Sequence, residues 1–267
     1  MKNTWNKMEI QIKKTVKAGN SSAVILPRSW LNKEVRIELI KKTPEIILDE
    51  IINILKKYVE LKSIIGIYLV GSYARKDEDK ESDIDILVIT DGVDKEMINE
   101  GIYNILLVSS ELLKYKLEKD LLPIGQMIKE ARPLLNEVYL NSIKVKTTKN
   151  NIKWYINTTQ DKLILIKEII EKSRKINKKN LEDRIAYTLV LRIRTLYIIK
   201  KLIKNEYYSK KEFVKLINRI SNGKDTYESY LTIKNNLKQE KGIDIEEAEK
   251  LYNYLKKQLD EIKKLIS

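Results

Sequence analysis

The chain has 267 residues, a formal net charge of +14, 34% charged and 43% hydrophobic residues, a balance that fits a folded chain rather than a disordered one. It has no cysteine and no histidine, which removes disulfides, thiolate zinc sites, Ser-His-Asp and Cys-His catalysis and the imidazole base together. Any chemistry must therefore run on carboxylates, hydroxyls, Lys, Arg and metal ions. The longest apolar stretch, IIGIYLVG at 64–71, falls far short of the roughly 20 residues that span a bilayer. No apolar segment follows the start, so no signal peptide is expected and a cytoplasmic location is. Charge divides the chain. Residues 1–45 hold 10 Lys+Arg against 4 Asp+Glu, residues 46–150 hold 15 against 18, and the remainder 27 against 16. A basic beginning and a basic end flank an acidic middle, a footprint compatible with a polyanionic partner.

The first forty residues alternate apolar and polar from Ile10 through Val16, which predicts a strand. Gly19-Asn20 is a turn signal. SAVILP predicts a second strand that stops at Pro27, and EVRIELI at 34–40 a third. Three such strands bury too little to stand alone, so pairing with a second copy is expected. The run KKTVKAGNSSAVILPRSWLNKEVRIELI resembles the AbrB-like swapped-hairpin DNA-binding domain. The resemblance implies a homodimer and contact with duplex DNA through Lys13, Lys14, Lys17, Asn20, Ser21 and Arg28. Lysines there would meet phosphates, whereas Asn20 and Arg28 also suit base edges.

Residues 46–62 place apolar side chains at helical spacing. The next segment, SIIGIYLVGSYARKDEDKESDIDILVIT, predicts a buried strand, a Gly-Ser turn, a short helix and an alternating strand. Gly71 permits a sharp turn and close approach of a phosphate to the backbone, and Ser72 adds a hydroxyl. Asp83 and Asp85 stand two apart on a strand, so they share a face about 7 Å apart, while Ile84 and Ile86 point into the core. Two ionised carboxylates on one face repel unless a cation lies between them. Oxygen-only ligands suit Mg²⁺ or Mn²⁺ completed by substrate phosphates. This segment resembles the polymerase-β-like nucleotidyltransferase superfamily, and most closely its small MNT-type branch. The resemblance implies triphosphate on Gly71 and Ser72, with help from Arg75. It implies metal on Asp83 and Asp85, and a positioning role for Ser82. Members usually carry a third carboxylate on the next strand. GIYNILLVSS at 101–110 has no acid, and Asn104 is the residue in its place. An amide oxygen can ligate a metal but cannot act as a base.

From residue 147 the periodicity is helical throughout and predicts a bundle of about four or five helices. Ser209 with Glu212 and Asp244 with Glu247 fit capping boxes. The tyrosines read as core-edge packers. Arg184, Arg192 and Arg194 fall on one helix, the first two on a shared face. A nucleotidyltransferase domain before such a bundle resembles the MNT–HEPN pairing and the aminoglycoside nucleotidyltransferases. Without histidine, the bundle lacks the R-x4-6-H pattern of HEPN ribonucleases.

The expected fold class is therefore α+β. A small N-terminal β swapped-hairpin segment (1–45) precedes a central α/β nucleotidyltransferase domain with a mixed sheet (46–146) and a C-terminal helical bundle (147–267). The expected function is Mg²⁺-dependent transfer of a nucleoside monophosphate from an NTP to a hydroxyl of protein, RNA or a small molecule. The alternative is a DNA-binding regulator or antitoxin whose transferase domain binds nucleotide with little turnover. No membrane partner is expected.

Overall fold

The computed structural model describes residues 11, 13, 15–37, 42–79, 82–222, 225–234 and 242–266. It separates into a small unit up to Lys42 and a large one, Thr43–Ser267. Among the described residues no helix is long and apolar enough to cross a membrane.

In the small unit, β1 (Val16–Ala18) pairs antiparallel with β2 (Ser21–Ala23) across the Gly19-Asn20 turn. A short 3-10 turn follows at Arg28–Trp30. The turn sits where the sequence places it, but the ladder is only three residues long. Val24–Pro27 and Glu34–Ile37, expected as strand, carry none, while Ile10, Ile12 and residues 38–40 lie outside the described residues. The reason is physical: a lone hairpin has no second layer to bury its apolar side. Ile25, Leu31 and Ile37 are each about two-thirds or more exposed, at 68%, 72% and 67%.

The large unit opens with α1 (Pro44–Leu55), started by the Thr43 hydroxyl, which accepts from the Ile46 amide, and by proline in the first turn. Ile47, Ile51 and Leu55 form its fully buried stripe. The helix ends about two turns before the expected residue 62. Beyond Leu55, Lys57 and Tyr58 turn outward to the Glu100 carboxylate at 2.8 Å each.

A five-stranded mixed sheet follows in the order β5-β6-β4-β3-β7. Its strands are β3 (Ile64–Val70), β4 (Ile84–Thr90), β5 (Lys95–Glu100), β6 (Tyr103–Ser109) and β7 (Arg132–Leu135). β4 runs parallel to β6; the other pairs are antiparallel. Period-two alternation sorts the side chains. Ile67, Leu69, Ile84, Ile86, Val88, Ile105 and Leu107 pack with α1. Tyr68, Val70, Leu87, Ile89 and Val108 face the other way, toward α3 (Ser110–Lys119) and α4 (Ile124–Glu130), with α5 (Glu137–Ser142) beyond. Each such fully buried aliphatic is worth about 1.5–3 kcal/mol. The two edges are the strands least legible in sequence: β5 reads KEMINE and β7 carries Pro133, polar and proline features that suit edges.

Five helices complete the unit: α6 (Lys149–Lys175), α7 (Asp183–Ile203), α8 (Lys210–Ser221), α9 (Asp225–Lys234) and α10 (Ile245–Leu265). A two-residue ladder, β8 (Asn180–Leu181) with β9 (Ile243–Asp244), ties two of the connections together. Their core is one cluster of Leu, Ile and aromatic side chains, Phe213 and Tyr230 among them. Ser209 caps α8 by accepting from the Glu212 amide at 3.2 Å. Asp244 caps α10 through Glu246 rather than the expected Glu247.

Candidate active site

Asp83 immediately precedes β4 and Asp85 is its second residue, at the end of the sheet face formed by Leu87 and Ile89. There both carboxylates line a cleft. Parallel register sets Asn104 of β6 beside Asp85. Its Nδ2 donates to Asp83 Oδ2 at 3.2 Å and to Asp85 Oδ1 at 3.5 Å. Burial, and then the neighbouring Asp83 charge, push the Asp85 carboxyl above its ordinary value; the Asn104 amide acts against both. Asn104 therefore sits where the sequence puts it, but with its amide nitrogen toward the acids. No group of three or more acidic side chains able to hold a metal occurs among the described residues. The donor set is two carboxylates and a neighbouring amide. Such a set fits a Mg²⁺ or Mn²⁺ ion that keeps several waters and takes its remaining ligands from phosphates.

Gly71 opens α2 (Gly71–Arg75) directly after β3, with φ of +69°, a left-handed conformation that side chains disfavour. A Cβ at this position would lie 2.1 Å from Asp85 Oδ2. Close approach to the acid pair is thus a second reason for glycine here. The Gly71 amide donates to Glu130 Oε1 at 2.9 Å, and Arg75 pairs with Glu130 Oε2 at 2.8 Å. Asp77 adds a second partner to Arg75 at 3.2 Å. Burial works against the guanidinium charge, yet the two carboxylates outweigh it and raise the Arg75 pKa. Glu130, at the end of α4, therefore holds the two groups that sequence reasoning assigns to phosphate. The Ser82 hydroxyl donates to Asp79 at 2.7 Å and accepts from its amide at 2.9 Å, closing the loop that leads into β4. Ser72 lines the cleft with Asp83 and Asp85.

The cleft measures about 340 Å³, and the rest of its lining comes from the helical half: Arg194 of α7, Tyr208, Lys210 at the start of α8, and Tyr227, Tyr230 and Lys234 of α9. Tyr208 links the halves, its ring centre 5.3 Å from the Arg75 guanidinium carbon and 5.5 Å from that of Arg194. The sequence places Arg184, Arg192 and Arg194 on one helix, and in the fold Arg192 and Arg194 part ways. Arg192 is spent on the Thr158 hydroxyl at 2.9 Å and on the Trp154 ring, and Arg194 reaches the cleft. Lys210, Lys234 and the cleft-lining role of the tyrosines left no signal in one sequence, because helical phase alone does not say which helix covers the sheet end.

In the small unit, Lys17 lies in β1, Asn20 in the turn, Ser21 in β2 and Arg28 in the 3-10 turn; these and Lys13 are exposed. Lys14 lies outside the described residues.

The chain matches the nucleotidyltransferase domain family model over residues 48–214, and it belongs to that family of transferases. The match begins in α1, takes in the sheet and the acid pair, and ends inside α8. No curated protein matches the chain. Among solved structures, a nucleotidyltransferase-like protein from Exiguobacterium sibiricum is similar. It shares 15% identity with a TM-score of 0.36, over 80% of this chain and 75% of that one.

Proposed function

We propose that the chain moves a nucleoside monophosphate from an NTP to a hydroxyl acceptor, with Mg²⁺ or Mn²⁺, in the cleft beside Asp83 and Asp85. The observation that carries this reading is one cleft lined both by the acid pair and by Arg194, Lys210 and Lys234, so that ligands for a cation and ligands for an anion share it. Asp83 and Asp85 hold the cation, with Gly71 and Ser72 bounding the phosphate side. The metal, when bound, neutralises charge developing on the α-phosphate and the departing pyrophosphate. The acceptor hydroxyl oxygen forms a bond to the α-phosphorus and its proton passes to solvent, while the bond from that phosphorus to the oxygen bridging it to the β-phosphorus breaks and pyrophosphate leaves with the electron pair. Arg75 acts through Glu130 and the Gly71 turn, and Ser82 through the loop that presents Asp83. The test is incubation with NTP labelled at the α-phosphate, Mg²⁺, RNA and cell protein. Label should pass to an acceptor, whereas label at the γ-phosphate should not. Label that stays on free nucleotide in every mixture would count against transfer.

A weak-transfer reading, that of a regulator or antitoxin whose transferase half mainly binds nucleotide, is favoured by one observation: Asn104 donates to both acids and has no proton-accepting group to offer. Asn104→Asp is expected to raise a slow transfer rate, by up to about 10²–10⁴-fold if it supplies the missing base. The same change puts three carboxylates together, so the variant should melt below the wild type without Mg²⁺ and recover with it. A fast wild-type rate that Asn104→Asp slows would place the base elsewhere.

The small unit is proposed to dimerise and bind duplex DNA in the AbrB-like manner. Support comes from its exposed Lys13, Lys17, Asn20, Ser21 and Arg28 around a hairpin that leaves Ile25 and Leu31 uncovered. Affinity for DNA should fall steeply with salt, with a slope of about −0.9 per phosphate contact. Deleting residues 1–42 should remove both the binding and the dimer. DNA binding that persists after the deletion would move the contact surface to the large unit.

A further inference from the structure

We infer that Lys234, with Arg194 and Lys210, grips the β- and γ-phosphates of the bound nucleotide, so that the helical half completes the substrate site. This rests on the nucleotidyl-transfer reading. Lys234 ends α9 and lies outside the stretch that matches the family model, which stops at residue 214.

Three cations lining a cleft need an explanation as much as the two carboxylates that line it with them. Arg194 and Lys234 make no ion pair among the described residues; the Tyr208 and Tyr230 hydroxyls favour the Arg194 charge, but its Nε is buried without a hydrogen-bond partner. Among the described residues Lys210 pairs with Asp79 at 3.5 Å, both side chains being largely exposed. Burial lowers the Lys234 pKa, the positive charges of Arg194 and Lys210 lower it further, and only Asp85 opposes them. Like charges gathered in one cleft repel one another unless a counter-charge joins them. The acids of the cleft do not fill that role, because Asp83 and Asp85 already share the Asn104 amide and are the ligands for a cation. A triphosphate fits: it is a polyanion that can meet a metal at the acid pair and the cations lining the same cleft. The cations nearer the Gly-Ser turn do not compete for it, since Arg75 is held by Glu130 and Asp77.

The test is titration of the full chain, with MgCl₂, by ATP, by inorganic tripolyphosphate and by AMP. Lys234→Ala should weaken ATP and tripolyphosphate about 10-fold or more, the scale of a lost charged hydrogen bond, and leave AMP within about 2-fold. Lys234→Arg should restore most of the loss, because the charge returns. Lys210→Ala should act in the same direction. If both alanine variants bind ATP and tripolyphosphate like the wild type while Asp83→Asn with Asp85→Asn loses Mg²⁺-dependent ATP binding, the inference is overturned and the nucleotide reading stands. If the wild type binds neither ATP nor tripolyphosphate, both fall.

Discussion

Replacing Asp83 and Asp85 together by Asn is expected to abolish Mg²⁺-dependent stabilisation by NTP and to cost at least about 10³-fold in transfer rate. The magnitude follows from the several kcal/mol that a bound cation contributes to the charged transition state, at 1.36 kcal/mol per tenfold. The folded chain should not suffer in the exchange. Asp85 is raised in the fold, by burial first and by Asp83 next, so its ionised form disfavours folding. That cost is absent at low pH and grows as pH climbs through the ordinary carboxylate range. Removing the charge should therefore leave thermal stability near neutral pH equal or higher, and flatten its fall with rising pH. Melting curves with and without MgCl₂ and ATP separate the two effects. A double variant that still shows the full NTP-dependent shift would displace the metal from this pair.

How far the sequence carried these conclusions depends on how local each signal is. Strand alternation around Asp83 and Asp85 is local, and the placement of Ile84 and Ile86 in the core follows from it directly. The Asn104 position needed only the next apolar strand, and the parallel register confirms the neighbour. The intervening strand β5 escaped notice because its sequence, KEMINE, is that of an edge, with Ile98 buried. Glu130 escaped for another reason. It lies 59 residues from Gly71, and nothing in its own surroundings marks a glutamate at a helix end as the partner of a distant turn. The cationic wall is likewise a product of tertiary packing. Helical periodicity identified α6, α7, α8 and α10, but not α9, and the choice of Arg194 over Arg192 depends on tertiary packing of α7. The short hairpin shows the converse limit: local pattern there exceeds what one chain can pair.

Gly71→Ala should lower stability and activity by separable mechanisms. The backbone at residue 71 has φ of +69°, where a Cβ costs about 1–2 kcal/mol, or about 2–8 °C in melting temperature for a unit of this size. The new methyl would also lie 2.1 Å from Asp85 Oδ2, a distance no contact tolerates, and the turn cannot easily yield because Glu130 holds the Gly71 amide at 2.9 Å. The carboxylate must move instead. A displacement of about 1 Å in a group that positions reactants can cost about 10²-fold, so transfer should drop by that order beyond any effect of unfolding. Gly92→Ala supplies the control. Its φ is +75° and a Cβ there meets nothing within 4 Å, so it carries the same backbone penalty without the collision. Measured well below both melting temperatures, Gly92→Ala should retain the wild-type rate and Gly71→Ala should not. Equal rates for the two variants would show that the Gly71 turn does not set the position of Asp85 during transfer.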